Sequence, residues 1–196
     1  TKRFDVKEDG SNLGLEDFAS LAGKTSEMDG DEYKYNYNYE EIGELIRRYV
    51  PAYRVELEKY FQMVVFNYLF SNGDAHLKNF SLLETPNGDY TLSPSYDLIN
   101  TRIHVNDRDF ALDGGMFKDV FESEEVKTNG RVGLHDFQEF GRRLGIMETR
   151  MARLLKPFRQ QQDLVETLIQ RSFLNPETKH FYLNEYLFRC GQLNKT

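Results

Sequence analysis

Residues 55–70 carry the pattern that most restricts how this chain can fold. Leu57, Phe61, Val64, Val65, Tyr68 and Leu69 recur at helical spacing and form a broad apolar stripe. A helix with so wide an apolar face belongs inside a core, because packing rather than propensity supplies most of its stability. It stops abruptly at Ser71-Asn72-Gly73, three turn formers. Phe80–Leu83 and Tyr90–Leu92 then read as short strands, with Pro86-Asn87-Gly88-Asp89 between them as a hairpin turn. A buried helix must therefore deliver the chain into a tight polar loop and then a hairpin.

The remaining periodicity is mostly helical. Leu13–Ala22 predicts a short helix closed by Gly23, and Tyr39–Tyr49 a second one ended by Pro51. Further helices are expected near 134–144, 147–174 and 177–189, punctuated by Gly145 and Pro176, with a kink at Pro157. Between the first two helices lies a polar stretch, 24–39. Its tyrosines at 33, 35, 37 and 39 alternate with polar residues, which fits either a strand or a solvated loop packed on the core. Thr1–Val6 reads as a short strand that begins in mid-domain. Because residue 1 is Thr and not Met, the chain is expected to be a piece of a longer product. The expected fold is a single, mainly α domain with one small hairpin.

Composition narrows the function. With 196 residues and a net charge of -7, the chain lacks the basic stripe of a nucleic-acid module, so direct nucleic-acid binding by this chain is disfavoured. Its single cysteine, Cys190, rules out an internal disulfide, reads as a buried structural residue and fits a reducing, cytoplasmic setting. No run of about 18 apolar residues and no signal peptide is found, so no membrane partner is expected.

The chemistry concentrates in Asn72-Gly73-Asp74-Ala75-His76-Leu77-Lys78-Asn79-Phe80. Phosphoryl transfer needs a carboxylate to orient the attacking hydroxyl and accept its proton, and an oxygen ligand for Mg²⁺ nearby. The protein-kinase catalytic loop supplies these with an Asp and an Asn five residues apart, the spacing of Asp74 and Asn79. Lys78 adds a cation where phosphate charge must be neutralised. Directly after the hairpin, Asp97 in Ser95-Tyr96-Asp97-Leu98 stands where a kinase has its second metal ligand. The segment is Tyr-Asp-Leu rather than Asp-Phe-Gly, which makes an ordinary eukaryotic-type kinase a poor match.

This order of helix, NGDAHLKNF, hairpin and SPSYDLIN resembles the HipA-like serine/threonine kinases, bacterial toxins of toxin–antitoxin modules with a divergent kinase fold. The resemblance runs over essentially the whole chain and is most specific at 72–80 and 95–98. It implies a C-terminal kinase lobe over 1–196, with 1–6 as the hinge strand and the N-terminal lobe absent. It implies that Asp74 is the catalytic Asp and that Asn79 and Asp97 hold magnesium. It also implies that His76 and Tyr96 line the ATP site together with Phe4 of the hinge, whose backbone pairs with adenine. Among partners it implies a protein substrate, with an aminoacyl-tRNA synthetase as target, and a helix-turn-helix antitoxin.

The departures are also specific. No phosphate-clamping lysine, autophosphorylated serine loop or Gly-rich phosphate loop precedes Asp74, so this chain alone is expected to be inactive. At the hinge, Lys2 stands where some members have an acidic residue. Two other readings stay open: a non-catalytic module that docks an antitoxin or a separate N-lobe, and a small-molecule phosphotransferase, since those kinases share the Asp-x-x-x-x-Asn loop. Calcium loops starting at Asp29 or Asp107 fail on ligand positions, and no zinc spacing appears.

Overall fold

The computed structural model describes residues 3–195. Of the expected hinge strand, Thr1 and Lys2 lie outside the described residues. Arg3–Asp5 forms no ladder, and Val6 makes an isolated antiparallel bridge to Asn12.

The chain then forms β1 (Leu15–Asp17), α1 (Phe18–Leu21), α2 (Ser26–Asp29), α3 (Tyr39–Tyr49), α4 (Tyr53–Leu69), β2 (Ser81–Glu84) and β3 (Tyr90–Leu92). Five more helices follow: α5 (Glu124–Asn129), α6 (Leu134–Arg143), α7 (Glu148–Arg159), α8 (Asp163–Arg171) and α9 (Pro176–Gln192). The three strands make one antiparallel sheet in the order β1-β2-β3. The fold is mainly helical, as expected, with the hairpin where the Asn-Gly signal put it.

Three expectations are corrected. The helix predicted over Leu13–Ala22 is half strand: Leu15, Glu16 and Asp17 pair with Leu83, Leu82 and Ser81. The open edge of β2 captures the backbone that periodicity alone assigned to a helix. Asp17 then caps the single turn of α1, accepting from the Ser20 amide at 2.9 Å. The single helix predicted over 147–174 is two, α7 and α8, broken at Gln160–Gln162 where the Gln162 amide donates to the Tyr186 hydroxyl at 3.0 Å. Pro157 lies in the last turn of α7, so it ends a helix there. Two short helices, α2 and α5, fall in segments read as loops.

The buried stripe of α4 anchors the core. Tyr60 and Phe61 meet Phe140 of α6, and Tyr60 also donates to the Tyr39 carbonyl at 2.9 Å. Phe80, fully buried, sits edge-on against both Tyr39 and Tyr60, so the residue that closes the polar loop is locked into the core. Burying a side chain of that size is worth about 2–3 kcal/mol, which fixes the end of an otherwise polar loop. Glu56, a buried carboxylate on α4, accepts from the Leu92 amide at 3.1 Å and ties the hairpin to the same helix. Cys190 is free and buried. Among the described residues, no helix is long and apolar enough to cross a membrane.

Candidate active site

The chain turns tightly into the 72–80 loop at Ser71, a left-handed residue just beyond the end of α4. Ser71 has φ 57°, and its carbonyl accepts from both the amide and the hydroxyl of Thr101, at 3.0 and 3.2 Å. The Thr101 hydroxyl also accepts from the Gly73 amide at 3.0 Å. A Cβ at Gly73 would lie 2.6 Å from the Arg108 carbonyl oxygen, so only glycine lets the 107–108 segment press against the loop.

Asp74 is half-buried at the outer turn, and Asn79 is buried five residues later. They are coupled through one amide: the His76 N–H donates to the Asp74 carbonyl at 2.8 Å and to the Asn79 side-chain oxygen at 3.1 Å. The Asn79 side-chain nitrogen donates to the Asp97 carboxylate at 2.6 Å. Residues 18 positions apart in sequence thus meet across the hairpin. Asp97 itself is left-handed, with φ 54°, a conformation that costs a non-glycine residue about 1–2 kcal/mol. The Asn72 side chain supports it by donating to the Asp97 carbonyl at 3.1 Å. The Asn79 side-chain oxygen, which accepts from the His76 amide, and the exposed Asp97 carboxylate are hard oxygen donors, the type that could contribute to holding a magnesium ion.

Tyr96 and Lys78 sit on the other side of the hairpin base. The Tyr96 hydroxyl donates to the Lys78 carbonyl at 2.7 Å and also contacts the Ser81 hydroxyl. The Phe4 ring lies 5.9 Å from the Tyr96 ring, and with Lys78, Asp17 and Leu15 they line an open cleft of about 480 Å³. The Lys78 side chain is exposed. His76 does not face this cleft. It is buried edge-on to Tyr35, 5.2 Å between centroids, with Nδ1 unpartnered among the described residues. Burial, then the nearby Lys34 ammonium, hold its imidazole below the usual histidine range, so the ring is neutral at pH 7.

Sequence reasoning missed Tyr35. Its hydroxyl donates to the Asp74 carboxylate at 2.8 Å, while the Lys34 carbonyl accepts from the Leu77 amide at 3.1 Å. Tyr39 adds a third tie, donating to the Ala75 carbonyl at 2.8 Å. The alternating tyrosines at 33–39 were the available signal. They form no strand, and the hydroxyls of two of them, Tyr35 and Tyr39, hold the loop.

Residues 1–167 match the HipA-like C-terminal domain. The chain belongs to that family. A Sinorhizobium fredii protein named "Putative kinase Y4dM" is 33% identical over 111 residues, 56% of this chain and 25% of that protein. A Haemophilus influenzae protein named "Putative kinase" is 24% identical over 190 residues, 92% of this chain and 54% of that protein. The chain therefore spans between a quarter and about half the length of these relatives. Among solved structures, HipA of Shewanella oneidensis, in complex with HipB and operator DNA, superposes with a TM-score of 0.70 at 19% identity. It covers 98% of this chain and 47% of HipA. The Helicobacter pylori proinflammatory kinase CtkA superposes with a TM-score of 0.56 at 16% identity, over 95% of this chain and 70% of CtkA. The HipA-like chain shares its fold with both. The family match ends at 167, so α9 lies beyond it.

Proposed function

We propose that this HipA-like chain carries the metal-binding half of the active site of an ATP-dependent protein serine/threonine kinase. The observation that carries the reading is the 2.6 Å contact between Asn79 and Asp97, with Asn79 on the same loop as Asp74 and tied to it through the His76 amide. In this reading Asn79 and Asp97 would hold magnesium, which when bound would supply positive charge to offset that of the nucleotide phosphates. Asp74 orients the acceptor hydroxyl and takes its proton. Phe4 and Tyr96 line the cleft for the nucleotide base, and the exposed Lys78 faces phosphate charge. The neutral His76 supports the loop from within, its amide spacing Asp74 from Asn79.

The reading concerns the intact protein, whose relatives extend well beyond this chain. By likeness to the Shewanella HipA complex, we propose a HipB-like antitoxin partner and a toxin role. A protein substrate of the aminoacyl-tRNA synthetase class and a cytoplasmic setting complete the proposal.

The test is phosphoryl transfer by the full-length protein. Asp74→Asn is expected to lower turnover at least a hundredfold while Mg²⁺-ATP still binds, since a group acting mainly in the transition state contributes little to ground-state affinity. Asp97→Asn is expected to weaken metal-dependent nucleotide binding as well. Wild-type turnover in both variants would overturn the assignment.

A further inference from the structure

We infer that Tyr35 is a positioning residue for phosphoryl transfer, fixing one oxygen of Asp74 so that the other is presented to the acceptor hydroxyl. The inference rests on the kinase reading above and adds to it a residue from outside the catalytic loop.

A half-buried aspartate at the outer turn of a polar loop, left without a partner, would sample several rotamers, and a base must be held in one to act efficiently. Within the loop, nothing does this for Asp74: its backbone is tied through the His76 amide and the Asn72 side chain, which accepts from the Asp74 amide at 3.3 Å. Its carboxylate has a single side-chain partner among the described residues, the Tyr35 hydroxyl, on Oδ1 at 2.8 Å. Oδ2 is left for a substrate proton.

Tyr35 is itself well held. Its amide donates to the Glu32 carbonyl at 2.9 Å, and its own carbonyl accepts from the Asp113 amide at 2.9 Å. The Lys34 ammonium lies 4.9 Å from the centre of its ring, and the His76 ring meets it edge-on. The neighbouring Lys34 carbonyl and the Tyr39 hydroxyl grip the loop on the far side of Asp74, at Leu77 and Ala75. Burial and the adjacent Asp74 carboxylate push the Tyr35 phenol well above its ordinary range, so it stays a hydrogen donor. A rigid donor delivered from a separate segment is what orienting a base requires. The tie also explains why an aromatic at 35 packs near a catalytic loop that is otherwise polar.

The test is a double-mutant cycle in the full-length protein, reading phosphoryl transfer and thermal stability. Tyr35→Phe keeps the ring and its packing and removes one hydroxyl. It is expected to lower kcat about tenfold or more, the effect of losing one hydrogen bond to a charged group. KM for ATP and the melting temperature should stay near wild type. In an Asp74→Asn background, Tyr35→Phe should change the residual rate less than twofold, because the amide still accepts from Tyr35 but the base that the bond orients is gone. Three outcomes overturn the inference: unchanged kcat in Tyr35→Phe, a tenfold loss that persists in the Asp74→Asn background, or a loss of kcat that tracks a lowered melting temperature. Wild-type turnover in Asp74→Asn alone overturns the kinase assignment first, and the role of Tyr35 with it. An inactive Asp74→Asn with a fully active Tyr35→Phe overturns only the role of Tyr35.

Discussion

Replacing Arg189 with Met should destabilise the fold by about 2–3 kcal/mol, although nothing in the sequence sets this residue apart. It sits on α9 with its side chain only 2% exposed. One guanidinium nitrogen donates to Asp109 at 2.6 Å and another to the Tyr68 carbonyl at 3.0 Å, and the group lies 4.7 Å over the Tyr68 ring. A buried charge-assisted hydrogen bond contributes roughly 1.5–3 kcal/mol. The Asp109 side chain is 33% exposed, so solvent screening reduces that bond to about 1 kcal/mol. The carbonyl bond adds about 1 kcal/mol, since Tyr68 retains the Ser71 amide as a donor at 3.0 Å. The cation–π contact adds about 0.5–1 kcal/mol. Met recovers part of the volume. For a chain of this size the loss corresponds to a melting temperature lower by roughly 5–10 °C. Reversible thermal unfolding followed by circular dichroism measures it. Asp109→Ala should add little in the Arg189→Met background, because the two share one contact. A drop below about 2 °C, or full additivity of the pair, would refute the reasoning, since the predicted loss and its non-additivity both require that the Arg189 contacts hold α9 to the end of α4.

Two further outcomes follow from the geometry. Gly73→Ala places a methyl 2.6 Å from the Arg108 carbonyl oxygen and from the Asp107 carboxyl carbon, so the loop or the 107–108 segment must move. We expect a loss of about 1–3 kcal/mol in urea unfolding together with a large loss of phosphoryl transfer, and an unperturbed variant would show that the close approach is dispensable. Hydrogen bonds from Arg142, then Arg143, hold the Glu139 carboxyl down at about 2. A carboxyl depressed in the folded state stabilises above the ordinary carboxylate range, and that stability fades as pH falls toward 2. The melting temperature should therefore fall more steeply with acid in the wild type than in Glu139→Gln, and equal slopes between about pH 4.5 and 2 would count against this pair.

Much of the architecture was legible because it is encoded locally. The α4 stripe, the Asn-Gly hairpin and the Tyr39–Tyr49 helix depend on periodicity and turn chemistry, and each lies within a few residues of its expected place. The Asp74–Asn79 spacing is also local, which is why the loop was recognisable as kinase-like and led to the HipA-like family. Leu15–Asp17 was misread because its pairing partner lies near residue 82, and a strand edge overrides a weak helical pattern.

What only the tertiary structure decided is how distant side chains converge on that loop. Asn79 meets Asp97 through a left-handed backbone that no propensity predicts. Tyr35 reaches Asp74 across 39 positions, Arg189 reaches the Tyr68 carbonyl across 121, and Gly73 is required by a backbone more than thirty residues away. His76 turned into the loop core and away from the Phe4–Tyr96 cleft because packing against Tyr35 buries its ring. The sequence determines which groups can do chemistry and how the nearest ones are spaced. The direction in which each group points depends on contacts between segments remote in the chain, and those exist only once the core has closed.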